Sequence, residues 1–369
     1  VVAWVHVMAR IRAVTMFLQP PSWEKPLLSE YIADKGSQLR EALSKLGLSG
    51  EVWTVRLSLP PIPREADPVG VAQAVQEALD ESGATMAAAV HLDTRDPRLG
   101  RMAEALEYPG IHGSVRLLSE EDAGAVADLI MEVSKHDPGE ATRLAVDLTG
   151  KGLSTPYYPM SSNTIGEEAV ALALLYTGEL LAGARSGDIV GEARRVFLDA
   201  AKHGSNIAGE LGVRFLGLDL SPSPWMEMSV AQVVETISGS PLGGPGSLAA
   251  VRRLNEDVWR AGEDLPTVGF NETMLPVAED NVLKERTLEG RLRVRDLAML
   301  TVGCLAGIDM VVLPGDIDPG VIRNLILDQI VVQRLKNRPL GMRLIIYEGA
   351  RPGDKVNLGK FGSTPVSPL

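Results

Sequence analysis

Short β-branched runs alternate with amphipathic helical stretches along nearly the whole chain, and this alternation limits the fold more than any single motif does. Strand-like runs fall at Arg10–Leu18, Glu51–Leu57, Thr85–His91, Gly113–Leu118, Arg143–Asp147, Val213–Asp219, Thr267–Phe270, Met310–Leu313 and Gly341–Tyr347. Between them lie helical patterns such as Pro26–Leu46, with Leu28, Ile32, Leu39 and Leu43 on one face, and Val321–Leu335, opened by Asp318–Pro319. Ser119–Asp122 reads as a capping box ahead of another helix, and Gly166–Leu181, apolar nearly all round, reads as a deeply buried helix. Strands spaced by helices in this way predict an α/β fold with both sheet faces covered. No glycine-rich dinucleotide fingerprint follows the first strand, so a closed barrel is expected over an open sheet. No linker or repeat interrupts the 369 residues. Residues 1–369 are therefore read as one domain, with 1–7 an extension ahead of Met8 and 349–369 a loop-like tail.

The charge balance narrows the function classes. Lys plus Arg number 36 against 48 Asp plus Glu, a formal net charge of −12, which is the wrong sign for a protein that coats nucleic acid. The single Cys excludes a disulfide framework and a cysteine-built zinc site. No apolar run reaches the roughly 18 residues of a membrane span. A cytoplasmic protein with no nucleic-acid or membrane partner is expected, self-associating as a dimer or larger homo-oligomer. The excess of Arg over Lys suggests a heat-adapted source.

Acidic residues follow several strand-like runs, where parallel α/β folds gather their sites. Asp219 closes one run, Glu272 follows another, and Asp309 and Asp316 bracket a third. Paired carboxylates at such positions hold Mg²⁺ or Ca²⁺, or act as acid and base; singly, each equally serves as a cap for the next turn. Asp219 and Asp316 are the first metal or catalytic candidates, joined by Glu279 and Asp280, with Ser221 beside Asp219 in a loop stiffened by Pro222 and Pro224. The loop Thr149–Asn163 carries Tyr157, Tyr158, Ser161, Ser162 and Asn163, a set able to orient a ligand. Arg12 and Arg343 are candidates for a substrate carboxylate, since a guanidinium fork matches its geometry, and both serve equally as ion-pair partners. Cys304, set among apolar residues, is either an inert core residue or a nucleophile.

Several segments together resemble an uncharacterised family, domain of unknown function 711. They are RAVTMF (Arg12–Phe17), STPYYPM (Ser154–Met160), GLDLSPSP (Gly217–Pro224), MLPVAED (Met274–Asp280), GIDMVVLPGD (Gly307–Asp316) and RLKNRPLGMRL (Arg334–Leu344). The resemblance implies a fold similar to the pyruvate formate-lyase-like glycyl-radical enzymes: a closed ten-stranded α/β barrel of two five-stranded halves. A TIM-like barrel is the alternative. It does not imply glycyl-radical chemistry, because the tail lacks the glycine motif that chemistry needs. Family members carry Cys in the segment matching Cys304; Leu305–Ala306–Gly307 follows here in place of their Gly-Thr-Gly, and Asn271–Glu272 stands where a serine is common. The expected function is that of an enzyme on a small polar or anionic metabolite, with a carboxylate-rich, divalent-cation-dependent site. Cys304-dependent catalysis and a non-catalytic metabolite-binding or oligomeric scaffold are the alternatives.

Overall fold

A computed structural model describes residues 11–369. The expected extension at Val1–Val7, Met8 and the Arg10 start of the first strand lie outside the described residues. Nine strands form one sheet: β1 (Ile11–Phe17), β2 (Val52–Ser58), β3 (Met86–Asp93), β4 (Ile111–Arg116), β5 (Leu144–Asp147), β6 (Ala169–Leu174), β7 (Arg214–Asp219), β8 (Gly307–Pro314) and β9 (Gly341–Tyr347). Their spatial order is β7-β6-β1-β2-β3-β4-β5-β9-β8. From β1 to β5 every pairing is parallel. The pairs β6–β7 and β8–β9 are also parallel. Each of these pairs meets the β1–β5 block antiparallel, at β1–β6 and β5–β9. Those two junctions rule out the TIM-like alternative, in which all strands run one way.

The ladder is not continuous between the edge strands β7 and β8. Residues 266–273 run between them and touch both. Leu218 donates its N–H to Pro266 O at 2.9 Å, and Val268 N–H returns to Leu218 O at 3.0 Å. Thr273 O then accepts from Ala306 N at 3.0 Å. The approach to β7 requires glycine: Gly217 has φ 133°, and a Cβ there would lie 2.3 Å from Pro266 O.

Side-chain alternation in β1 separates the sheet's two faces. Val14 and Met16 join the large core that includes Leu28, Ile32 and Leu39 of the helix Lys25–Lys45. On the other face Thr15 Oγ1 donates to Pro156 O at 3.3 Å, so that face meets the loop of residues 149–163. Tyr158 bonds Leu57 O, Ser161 bonds Ser58 Oγ at 2.9 Å, and Asn163 Nδ2 reaches Leu18 O at 2.7 Å. The loop Thr149–Asn163 is therefore held against β1 and β2 and is largely buried.

Two local expectations fail for physical reasons. Gly166–Leu181 is not one helix: Ala169–Leu174 is a strand between β1 and β7, and the helix begins only at Thr177. A short apolar run buried on both faces carries no period that separates strand from helix. The capping box at Ser119 does not form; Asp122 instead accepts from Thr94 Oγ1 at 2.8 Å. Asp67 and Asp318, each followed by Pro, do cap their helices through Gly70 N and Gly320 N. Among the described residues no helix is long and apolar enough to cross a membrane.

Candidate functional site

A cavity of about 320 Å³ opens on the loop-bearing face of the sheet, and charged strand residues line it. Arg12 comes from β1, Arg56 from β2, His112 from β4, Asp309 from β8 and Arg343 from β9. Glu279 enters from the MLPVAED segment and Lys360 from the tail.

Four of these groups form a linear electrostatic chain, Arg12–Glu279–Arg343–Asp309. Arg12 Nη2 lies 2.8 Å from Glu279 Oε2. Arg343 Nη2 lies 3.1 Å from Glu279 Oε1 and donates to Asp309 Oδ2 at 2.7 Å, with a second contact through its Nε. Burial alone would raise the Glu279 carboxyl; Arg343 and Arg12 outweigh it and hold it below its usual range. Burial likewise opposes the Arg343 charge, and Asp309 and Glu279 more than offset it. Two acids and two arginines thus cancel. Arg12 is further fixed by Pro224 O at 2.6 Å and packs against the Trp53–Trp225 pair, 5.4 and 5.8 Å from the ring centroids.

Arg56 and Lys360 have no such partner: among the described residues neither forms a salt bridge with a carboxylate. Arg56, 7% exposed, donates through Nε to Thr54 Oγ1 at 2.9 Å and through Nη1 to Pro156 O at 3.1 Å. Its plane lies over Tyr158, 5.0 Å from the ring centroid. Burial, with Arg12 nearby, lowers its pKa to about 10. Lys360 is exposed as a whole residue, yet burial at its ammonium end lowers its pKa against the pull of Glu279. His112 Nδ1 is buried and unpartnered. Burial, then the positive charges of Lys360, Arg143 and Arg56, push its pKa well below the ordinary value, so its imidazole is neutral.

The sequence-predicted residues divide between this cavity and other places. Arg12, Tyr157, Glu279, Asp309 and Arg343 line it. Asp219 is fully buried outside the lining and accepts from Thr155 Oγ1 (2.9 Å), Ser221 Oγ (2.5 Å), Phe270 N (2.9 Å) and Asn271 N (3.0 Å). Burial nonetheless raises its carboxyl pKa. Ser221 Oγ in turn accepts from Glu272 N at 3.1 Å. Asp316 is exposed, so the two leading acids do not share one environment. Asp280 caps the helix Asn281–Leu288 through Val282 N and also takes Ala231 N. Ser161 and Asn163 hold the loop to the sheet, and Ser162 Oγ is buried without a partner. No group of three or more His, Cys, Asp or Glu able to hold a metal ion occurs among the described residues.

Glu272 and Cys304 belong to a separate cluster. Glu272, fully buried, pairs with Lys336 Nζ at 2.6 Å and Arg338 Nε at 2.8 Å. Cys304 has φ 70°, and its thiol accepts from Arg252 Nη1 at 3.6 Å. Burial raises the thiol pKa, with the Glu272 charge adding to it, which disfavours the thiolate a nucleophile needs.

Sequence reasoning missed Arg56, His112 and Lys360. Arg56 carried a signal, a cation in the interior of the strand VWTVRLS; a buried strand carries a charge only where something pairs with it. Lys360, in the short turn Gly359–Phe361 between the paired strands Lys355–Asn357 and Ser363–Pro365, carried none.

The fold and cavity define a mixed α/β protein with a cation-rich internal site. Residues 185–359 match the family described as Uncharacterised ACR (DUF711). A UPF0210 protein of Pyrobaculum arsenaticum is 26% identical over 395 residues, covering 95% of this chain and 87% of the relative. One of Methanopyrus kandleri is 29% identical over 257 residues, covering 65% and 57%. One of Lactiplantibacillus plantarum is 33% identical over 171 residues, covering 45% and 38%. The chain is thus similar to this family, most directly over residues 185–359.

Proposed function

We propose that the chain is an enzyme acting on a small anionic metabolite bound in this cavity. The observation that carries the reading is the buried, uncompensated charge of Arg56 with Lys360 beside it. A guanidinium out of water without a counter-charge is costly, and a bound anion removes that cost. Arg12, Glu279, Arg343 and Asp309 then form a rigid frame, and neutral His112, a lining residue, is the acid–base group. In this reading residues 266–273 act as an irregular tenth strand that completes a barrel, supported by their parallel bridges to Leu218 and Leu305.

Dependence on Mg²⁺ or Ca²⁺ has less support. Glu279 and Asp309 already face guanidiniums, and the oxygens of Asp219 are engaged by neutral donors. Self-association, also proposed, finds its best surface where Val331 and Leu335 of the helix Pro319–Lys336 stand 54% and 75% exposed.

Calorimetric titration with acetate, succinate and inorganic phosphate tests the reading. An anion held by a guanidinium gains about 1.5–3 kcal/mol from that bond. Arg56→Gln should therefore weaken the best of these anions by about tenfold or more, with the protein still folded. Equal binding by wild type and a folded Arg56→Gln variant would sink the reading.

A further inference from the structure

Part of the cavity's lining is apolar, and that part says what the anion carries. Beside the charged groups, the lining includes a small apolar cluster separate from the main core, built on Tyr157, Met160, Phe270 and Met274. The sheet positions beneath it are small: Ala13, Ala145 and Ala173 belong to the same cluster. Ala145, with Ala306 of the same cluster, lines the cavity itself. Protein interiors normally fill such space to crystal-like density, so alanines beside a cavity of about 320 Å³ leave room for something else. At roughly 30 Å³ per water, that room suits a ligand of about ten non-hydrogen atoms. A bare acetate or phosphate would occupy the cationic end and leave the apolar wall wet, forgoing the gain from covering it.

The wall's chemistry is also specific. Met86, Met160, Met274 and Met342 all line the cavity, and thioether sulfur packs favourably at the edge of an aromatic ring. Met160 is held in place from behind, since even a Cβ on Gly341 would lie 2.7 Å from its sulfur. Phe270 adds an aromatic face of its own.

Resting on the anion-binding reading above, we infer that the substrate is an aromatic organic anion, its charged head between Arg56 and Lys360 and its ring against Met160, Phe270 and Met274. A carboxylate and a phosphate monoester both satisfy the cationic end, and the test separates them.

The test is a titration series on the whole wild-type protein. Phenylacetate, 3-phenylpropionate and phenyl phosphate are compared with acetate, succinate and inorganic phosphate. At least one aryl anion should bind ten times more tightly than its ring-free counterpart, and the better of phenylacetate and phenyl phosphate identifies the head. Met274→Ser should weaken the aryl anion several-fold and leave the ring-free one within twofold. Should ring-free anions bind as well as or better than aryl ones while Arg56→Gln still weakens them, the inference is overturned and the anion site stands. Should no anion bind, or Arg56→Gln bind all of them as wild type does, the anion site itself falls and the inference with it.

Discussion

Two buried carboxylates, Asp219 and Glu279, sit in neighbouring parts of the molecule and are handled in opposite ways. Asp219 is surrounded by neutral donors, two hydroxyls and three backbone amides, and its pKa is raised by burial. The donors come from three stretches of chain, so the carboxylate ties the 149–163 loop, the LSPSP turn and the 266–273 segment together. Glu279 is gripped by two guanidiniums, and its pKa is lowered. It fixes charges that face a cavity. The difference shows that burial and acidity alone do not mark a functional acid. The donors do: amides and hydroxyls knit backbone, whereas arginines around a void organise a field.

The largest effect should come from breaking the second arrangement. Glu279→Ala leaves Arg12 and Arg343 without their shared partner and should cost about 3–5 kcal/mol in chemical denaturation. A loss below about 1 kcal/mol would mean the pair is solvated and the field argument fails.

Next in size is a pH effect in the first block of strands. His91 on β3 is buried, bonds Ser114 Oγ through Nδ1 at 2.8 Å and leaves Nε2 unpartnered. Burial lowers its pKa from 6.5 to about 4. The unfolded chain therefore binds the extra proton first as pH falls. The contribution is complete above pH 6.5 and lost progressively down to about pH 4, on the order of 3 kcal/mol. Stability curves for wild type and His91→Gln at several pH values should converge in that window. Parallel curves would show that His91 is hydrated in the native state.

The smallest effect sharpens the contrast. Asp219→Asn keeps one acceptor oxygen and turns an amide toward former donors, which should cost about 1–3 kcal/mol. Anion affinity should change by less than threefold. A drop as large as that of Arg56→Gln would make Asp219 part of the binding site and erase the distinction between the two acids.

The strand–helix alternation made most of the sheet readable. β1, β2, β7, β8 and β9 fall where β-branched runs meet turn residues, and the Asp-Pro pairs mark helix starts by a local mechanism. Local signals fail at β6, whose AVALAL run owes its form to the two strands flanking it. The site was legible in part. Arg12, Asp309 and Arg343 are charges inside apolar runs, and Glu279 lies in a distinctive segment. Which acids would serve the cavity was not legible, because Asp219 and Glu279 look alike until their donors are known. The pairing of Arg56 with Lys360 depends on where the tail folds back, and no local pattern encodes that return.

The cavity draws its first cation from residue 12 and its last from residue 360, with Phe361 packed 6.0 Å from Trp225 beside it. During synthesis the earlier wall residues would emerge long before Lys360 could join them. On the proposed reading, the anion's full grip forms only once Lys360 has joined the earlier wall residues, so a ligand met before then finds an incomplete site.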